Sequence, residues 1–288
     1  MGHHWKQRNP ESFKVSSQGS KKISVAIITF NEERNIKDCI ESVLPFADEV
    51  VVLDSYSQDR TEDIAKSFPI VRFYQNPFYG HVEQKNKAIE LCQNDWILSL
   101  DADERVDMDL KTEILRFQNT TLKEGTQGFE MARLTYHLGR WIKHSGWYPQ
   151  RRYRLFLKQK AKWVGENPHD YIAIENPQAG QRMKGNILHY SFLDFSHQIN
   201  TINQFSSIVA FARKEKGHSF SLTKSLLKPF GKFIEIYFFK LGFLDGIPGL
   251  FIALSSSFST FLKYAKLYEL DLKVIERPSN IRKDYGKK

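Results

Sequence analysis

Trp96-Ile97-Leu98-Ser99-Leu100-Asp101-Ala102-Asp103 is the stretch on which the reading of the fold turns. An apolar run of strand character stops at two carboxylates spaced i, i+2, and Glu104 follows at once. Side chains alternate along a strand, so continued extension would point Asp101 and Asp103 the same way. The carboxyl ends of parallel strands are where α/β domains collect ligands. A divalent cation bound together with ligand phosphates is the natural partner of such a pair. Taken alone, the spacing also fits a strand followed by a solvated acidic helix start. The neighbouring stretches decide between the two.

Upstream the same grammar repeats. Ile23 to Phe30 is nearly all apolar and rich in β-branched residues, as a buried parallel strand should be. Asn31 then precedes a helical stripe of Ile36, Cys39, Ile40, Val43 and Leu44 that Pro45 ends. Glu49–Asp54 is a second strand closed by an acid. The turn Ser55-Tyr56-Ser57-Gln58-Asp59-Arg60-Thr61 leads into a helix, and Ile70–Tyr74 is a third, weaker strand. Val82–Leu91 is helical and carries Lys85, Asn86 and Lys87 near its start. This alternation with short connections predicts an α/β fold: an open, mostly parallel sheet with helices on both faces.

Downstream, Asp109–Phe117 reads as a helix, and Phe129–Leu134 and Tyr153–Leu157 as strands. Between those strands lie Tyr136, His137, Arg140, Trp141, Lys143, His144, Trp147 and Tyr148, a mixture better suited to a ligand-binding wall than to a core. From Phe195 onward the pattern is helical. Leu226, Leu227, Phe230, Phe233 and Phe239, laced with Lys224, Lys228, Lys232 and Lys240, match an amphipathic interfacial helix. Gly246 to Leu262 carries no charge but holds Pro248, Gly249 and five hydroxyl residues. It is expected to form a buried or interfacial hairpin of helices rather than a membrane crossing. Residues 1–20 are expected to be a disordered tail or tag remnant, 21–194 a catalytic domain (21–120 donor-binding, 121–194 acceptor-binding), 195–272 a helical amphipathic membrane-proximal region and 273–288 a basic tail.

The composition is globular, with 41% hydrophobic and 26% charged residues, and the formal charge of +9 suits an anionic partner. Two cysteines, Cys39 and Cys92, suggest neither a disulfide scaffold nor a zinc cluster, and point to a reducing compartment. The chain lacks a Gly-x-Gly-x-x-Gly or Walker-type loop and a Gly-x-Ser-x-Gly elbow, which argues against dinucleotide dehydrogenases, P-loop ATPases and α/β-hydrolases. What remains is three strand ends finishing in polar groups: Thr29, Asn31 and Glu32; Asp54 and Ser55; Asp101 and Asp103. Parallel strands would bring these to one edge, with carboxylates for ribose and metal and with Lys85 and Arg60 for phosphate.

Val25-Ala26-Ile27-Ile28-Thr29-Phe30-Asn31-Glu32-Glu33, Val51 to Thr61, Lys85-Asn86 and Leu98 to Glu104, in that order, resemble the family 2 glycosyltransferases with the GT-A fold. Gly146-Trp147-Tyr148-Pro149, Arg154-Leu155-Phe156, Pro168-His169-Asp170, His189-Tyr190-Ser191 and Lys240 to Gly249 look like the bacterial lipopolysaccharide core β-glucosyltransferase (WaaE-like) branch. The resemblance implies that Thr29, Asn31, Glu32 and Asp54 hold the base and ribose of a nucleoside diphosphate sugar, with Lys85 near the nucleotide. Asp101 and Asp103 would bind Mg²⁺ or Mn²⁺ through the diphosphate. Two departures stand out: Tyr56 replaces a customary glycine, and Pro168-His169-Asp170 stands where the branch has Val-His-Glu.

The reaction so implied is inverting transfer of a hexose, glucose in that branch, from a UDP-sugar to a lipid-linked acceptor such as lipopolysaccharide inner core. Asp170 is the favoured general base and Glu166 the second choice. Trp147, Tyr148, Arg151, Arg154 and His169 are the acceptor-binding candidates, with Arg152 beside them, and His189 is a further candidate for phosphate. The expected setting is cytoplasmic, peripheral on the inner face of a bacterial cytoplasmic membrane, with no nucleic acid partner and with a homo-oligomer left open. The rivals are a polyprenyl-phosphate or exopolysaccharide transferase, a non-catalytic membrane-surface binding protein, and a nucleic-acid binder prompted by charge alone.

Overall fold

The computed structural model describes residues 20–165, 170–192 and 194–272, so Glu166, Pro168, His169 and both expected tails lie outside the described residues. Four strands, β1 (Ile23–Thr29), β2 (Glu49–Asp54), β3 (Val71–Gln75) and β4 (Trp96–Asp101), run parallel in the order β3-β2-β1-β4. β1, β2 and β3 are each followed by a helix, the second of these being α2 (Thr61–Lys66), as parallel crossovers require, whereas β4 runs through a turn into a further short strand.

The alternation along these strands builds two cores. Val25, Ile27, Val50, Val52, Leu98 and Leu100 face one way, onto Ile36, Cys39, Ile40 and Val43 of α1 (Ile36–Val43) and onto Leu110, Ile114 and Phe117 of α4 (Met108–Gln118). Ala26, Val51, Leu53 and Ile97 face the other way, onto Ala88 and Ile89 of α3 (His81–Leu91). Strands buried on both faces read as continuous apolar runs, which is why their sequence signal is strong. Both expected helical layers are present.

The rest of the sheet is mixed rather than parallel. Beyond β4 lie β8 (Gln150–Leu157), antiparallel to it, and β6 (Gly128–His137), antiparallel to β8. Then come β11 (Gly180–His189), parallel to β6, and β5 (Glu104–Val106), antiparallel to β11. The short strand β7 (Arg140–Ile142) pairs with β6, and β9 (Ala161–Val164) and β10 (Tyr171–Ile174) form a separate hairpin. No α-helix links the described strands from β6 to β11, so neighbours joined by short connections pair antiparallel.

The extended run does not continue through Asp103. Strand β4 stops at Asp101, Ala102 and Asp103 form a turn, and β5 starts at Glu104. The two aspartates are therefore presented by a turn, not by alternation along one strand.

The chain divides into two compact units. One comprises the sheet as far as Thr135 together with Pro149–Tyr190, and the other takes Tyr136–Tyr148 with everything from Ser191. The second unit contains α5 (Phe195–Glu215), α6 (Leu222–Ile234), a π-helical turn over Glu235–Phe239, a 3₁₀ turn over Gly242–Asp245 and α7 (Gly246–Asp271). The uncharged run from Gly246 to Leu262 lies within one helix, which corrects the expected hairpin. Pro248 falls in the first turn of α7, where a missing N–H costs nothing. Thr260 Oγ1 donates back to the Ser256 carbonyl at 2.9 Å, so a hydroxyl can stay inside the helix. The bend falls earlier, at Leu241 with φ +53°, and it is tightly packed: a Cβ on Gly249 would lie 1.9 Å from the Gly242 carbonyl oxygen. Asp245, fully buried, fastens this bend to the Tyr136–Tyr148 segment by accepting from the backbone N–H of Lys143 (3.1 Å) and of His144 (3.0 Å) and from Ser145 Oγ (2.8 Å).

Among the described residues no single helix is long and apolar enough to cross a membrane. Leu222–Phe239 and Gly242–Asp271 reach that length and apolarity only together, bent by 69°.

Candidate active site

The register of the parallel strands sets the site. Thr29 pairs with Asp54 and Ile28 with Asp101, so β1, β2 and β4 finish level with one another. Thr29, Asp54 and Asp101 are thereby brought to one edge, followed by Asn31 and Glu32. Thr29 Oγ1 is buried and takes no hydrogen bond. Asp54 is fully buried, and its carboxylate accepts from the Ser57 N–H at 2.8 Å and from the Ser57 hydroxyl. Asn31, at φ +54°, donates its N–H to Ser57 Oγ (2.8 Å) and accepts from the Gln58 N–H (2.7 Å). An Asn tolerates this left-handed backbone better than most residues. The loops after β1 and β2 thus hold each other.

Glu32 sits inside this edge. Its N–H donates to Thr61 Oγ1 at 2.8 Å, and its carboxylate accepts from Asn35 Nδ2 at 2.7 Å. Burial raises its pKa to about 7 against the lowering by the Asn35 hydrogen bond, and the negative charges of Asp103, Asp59 and Asp101 add to the rise. Glu32, Asp101 and Asp103 therefore share one negative field.

Asp101 and Asp103 are held differently. Burial alone would push the Asp101 carboxyl up. The charges of Lys85 and Arg154 outweigh it and hold Asp101 well below the usual carboxylate range. Lys85 Nζ lies 3.2 Å from Asp101 Oδ1 and Arg154 Nη2 lies 3.9 Å from Asp101 Oδ2. Asp103 Oδ2 faces His189 Nε2 at 3.2 Å, and the other ring nitrogen of His189 is 3.4 Å from Thr135 Oγ1. Asp101 Oδ1 is buried and accepts no hydrogen bond of good geometry. Among the described residues that oxygen meets only the Lys85 ammonium, and a hard carboxylate oxygen beside a second carboxylate fits Mg²⁺ or Mn²⁺, which keep several other ligands for water and phosphate. No cluster of three or more His, Cys, Asp or Glu positioned for a metal occurs among the described residues, so a cation there would need further ligands from elsewhere.

Lys85 is the junction of the site. Presented by α3 and almost fully buried, its ammonium contacts Asp170 Oδ2 at 2.8 Å as well as Asp101, and it lies 4.1 Å from the centre of the Trp163 ring. Trp163 is fixed from several sides. Its backbone exchanges hydrogen bonds of 2.9 Å with the side chain of Asn86, and its indole N–H donates to Ser99 Oγ at 3.2 Å. The sequence carries no mark that distinguishes Trp163 from a core aromatic, and its role is visible only in the fold. Glu104 is equally hidden. Fully buried, it accepts from the Asp101 N–H (3.0 Å) and from Arg154 (2.9 Å), and so braces the aspartate turn from beneath.

The acceptor candidates separate. Arg154 is buried, bonded to Glu104 and to the Ser99 carbonyl (3.2 Å), and acts as a counter-charge under Asp101. Arg151 joins Asp170, Lys85 and Asp101 in the wall of a cavity of about 760 Å³. Trp147 and Tyr148 belong to the second unit, where Trp147 packs against the core of Ile142, Ile236 and Ile252, its ring 5.4 Å from that of His137. Arg60 is exposed and pairs with Glu33 at 3.4 Å.

A level edge of parallel strands ending in carboxylates, with a buried lysine across them, defines a nucleotide-binding α/β domain of the glycosyltransferase type. Residues 24–175 match the family model described as glycosyl transferase family 2, and the chain belongs to that family. It is 30% identical over 260 residues to an uncharacterized glycosyltransferase of Rickettsia typhi, covering 88% of this chain and 89% of that one. It is also 30% identical over 253 residues to the lipopolysaccharide core biosynthesis glycosyltransferase LpsC of Rhizobium meliloti, covering 86% and 92%. Among solved structures, glucosyl-3-phosphoglycerate synthase of Mycobacterium tuberculosis, in complex with Mn²⁺, UDP and glucosyl-3-phosphoglycerate, is 24% identical with a TM-score of 0.32. That match covers 41% of this chain and 45% of the other, too slight a likeness to bear on the reaction.

Tyr56 stands in the turn after Asp54 where the resemblance puts a glycine. Tyr56 adopts φ +62°, a left-handed conformation that costs an L-residue roughly 1–2 kcal/mol. The Asp54–Ser57 and Asn31–Ser57 hydrogen bonds over-determine the turn and hold Tyr56 there. Tyr56→Gly is therefore expected to stabilise the protein by about 0.5–1 kcal/mol, once relief of strain is set against the greater freedom of the unfolded glycine chain. Chemical denaturation measures it. A loss above about 1 kcal/mol would show instead that contacts of the tyrosine ring, not the polar network, hold the turn.

Proposed function

We propose that the protein is an inverting glycosyltransferase that moves a hexose, glucose in the first instance, from a UDP-sugar to a lipid-linked saccharide of the lipopolysaccharide inner-core type. The observation that carries this reading is the single buried ammonium of Lys85 bonded both to Asp101, at the strand edge, and to Asp170, in the cavity wall. Two carboxylates thus share one cation, and on this reading Asp101 meets the leaving diphosphate and Asp170 the incoming hydroxyl. The similarity to LpsC over most of both chains supports the acceptor class.

On this reading Thr29, Asn31, Glu32 and Asp54 receive the base and ribose. Asp101 and Asp103 would hold Mg²⁺ or Mn²⁺, which when bound supplies charge neutralisation for the leaving diphosphate. Lys85 adds a second positive charge to the same phosphates and in doing so releases Asp170. The freed Asp170 carboxylate accepts the proton of the acceptor hydroxyl. That oxygen then forms its bond to the anomeric carbon as the bond to the diphosphate oxygen breaks, and the electron pair leaves with the nucleotide. Arg154 and Glu104 keep Asp101 ionised and in place throughout.

The second unit supports a membrane-surface location, on the inner face of the cytoplasmic membrane. Leu222, Leu226, Leu227 and Phe230 of α6 are each at least 59% exposed, and Phe239 and Ile247, flanking the bend, are 80% and 69% exposed. Lys224 and Lys228 stand among them, the pairing of apolar face and basic rim that suits an anionic lipid surface.

Asp170→Asn should lower transfer by about 10²–10⁴-fold without weakening UDP-sugar binding, because Lys85 is then free for the phosphates. Release of UDP from UDP-glucose, with Mn²⁺ and an inner-core lipopolysaccharide acceptor, measures the first, and calorimetry measures the second. Turnover within twofold of wild type would remove Asp170 as the base. Phe239→Asp with Ile247→Asp should weaken co-sedimentation with vesicles containing anionic phospholipid by about tenfold. Equal sedimentation of variant and wild type would remove the membrane assignment.

A further inference from the structure

The cavity beside Asp170 is more cationic than transfer to a neutral hydroxyl needs. Among the described residues, Lys85, Arg133, Arg151, Arg152 and Arg154 line it against Asp101, Glu130 and Asp170. Several of these charges are already matched. Lys85 is shared by Asp101 and Asp170, Arg154 binds Glu104 at 2.9 Å, and Glu130 is taken by Arg182 at 3.2 Å. Arg133 and Arg151 are left over. Arg133 is pinned by Gln150 Oε1 at 2.7 Å and comes only within 3.9 Å of Glu104, whose charge Arg154 already meets. Its Nε is buried with no hydrogen-bond partner, and so is Nη1 of Arg151. Arg152 is exposed, and its guanidinium reaches the Arg151 carbonyl at 3.1 Å.

A buried guanidinium N–H without a protein acceptor is costly, and a bound anion is a group that can satisfy it. Guanidinium groups are the preferred ligands of phosphate and carboxylate because their donors match two oxygens at once. Position sets this anion apart from the base and ribose of the donor, and the effect of the variants on UDP affinity separates it from the diphosphate. Arg133 and Arg151 come from β6 and β8, which lie on the far side of β4 from β1 and β2, the strands that carry Thr29, Asn31 and Asp54.

We propose that Arg133 and Arg151 form an anion subsite that recognises a phosphate or carboxylate group on the acceptor saccharide, close to the hydroxyl that Asp170 activates. The acceptor is then an acidic sugar rather than a neutral one. This rests on the glycosyltransferase reading above and narrows its substrate class.

The test is calorimetric titration of the full chain, alone and saturated with UDP and Mn²⁺, with glucose 6-phosphate, glucuronate and glucose as probes. Wild type should bind one of the two anions at least about tenfold more tightly than glucose, and which one identifies phosphate or carboxylate as the group recognised. Arg133→Gln with Arg151→Gln should bring that anion to the level of glucose and leave the UDP dissociation constant within twofold. Should the double variant not fold, Arg151→Gln alone serves, since its buried Nη1 has no partner to lose. Two outcomes overturn the subsite: anions that bind no better than glucose, and variants that bind them as wild type does. A tenfold loss of UDP affinity in the variants would also overturn it, by assigning the arginines to the donor. Failure of the glycosyltransferase reading looks different, because wild type would then not bind UDP at all, and the titration without UDP still reads the subsite.

Discussion

One buried cation organises the catalytic half of this protein. Lys85 lies between Asp101 and Asp170 over the face of Trp163, so helix α3, strand β4 and the β9–β10 hairpin meet on a single ammonium. Taking that charge out of water is expensive, and only close pairing makes it tolerable. The partners are correspondingly fixed. Glu104 and Arg154 brace Asp101, and Asn86 and Ser99 lock Trp163. These charges are paired among themselves, and they are groups that a diphosphate could redistribute. On the proposed mechanism, a phosphate that draws Lys85 away would leave Asp170 unpaired and so link donor binding to activation of the base.

The same electrostatics divide the labour among the arginines. Arg154 is an internal counter-ion, Arg60 a surface one, and Arg133 and Arg151 face a cavity with donors unspent. In the sequence these residues are indistinguishable, because nothing in an arginine's neighbours says whether its carboxylate lies fifty residues away. The sequence therefore puts Arg154 among the acceptor candidates, and the fold gives it a buried partner besides. Its pairing with Glu104 exists only once β5 and β8 are folded into one sheet.

What was legible followed from periodicity. Ile23–Phe30 and Glu49–Asp54 read as buried strands because both faces are covered, and the observed strands agree to within a residue. From those strands the alignment of Thr29, Asp54 and Asp101 along one edge follows as a matter of parallel register. Short antiparallel pieces such as β5, β7 and β9 have too few residues to show a period, and the sheet is accordingly more mixed than expected. Asp103 was expected on an extension of β4 and stands instead on a turn. The uncharged run from Gly246 was expected to fold back on itself, because Pro248 and Gly249 look like breakers. In place, the proline occupies a first turn and the glycine a close contact, and neither breaks the helix.

The central claim is that the carboxylates at the end of β4 anchor a nucleotide diphosphate together with a divalent cation. Calorimetric titration of UDP into the wild type and into Asp103→Asn, each with Mn²⁺ and with EDTA, tests it most directly. The account predicts that Mn²⁺ tightens UDP binding to the wild type by at least about tenfold and that Asp103→Asn abolishes the tightening. UDP affinity that is the same with and without metal, or a metal effect that survives in Asp103→Asn, would contradict it.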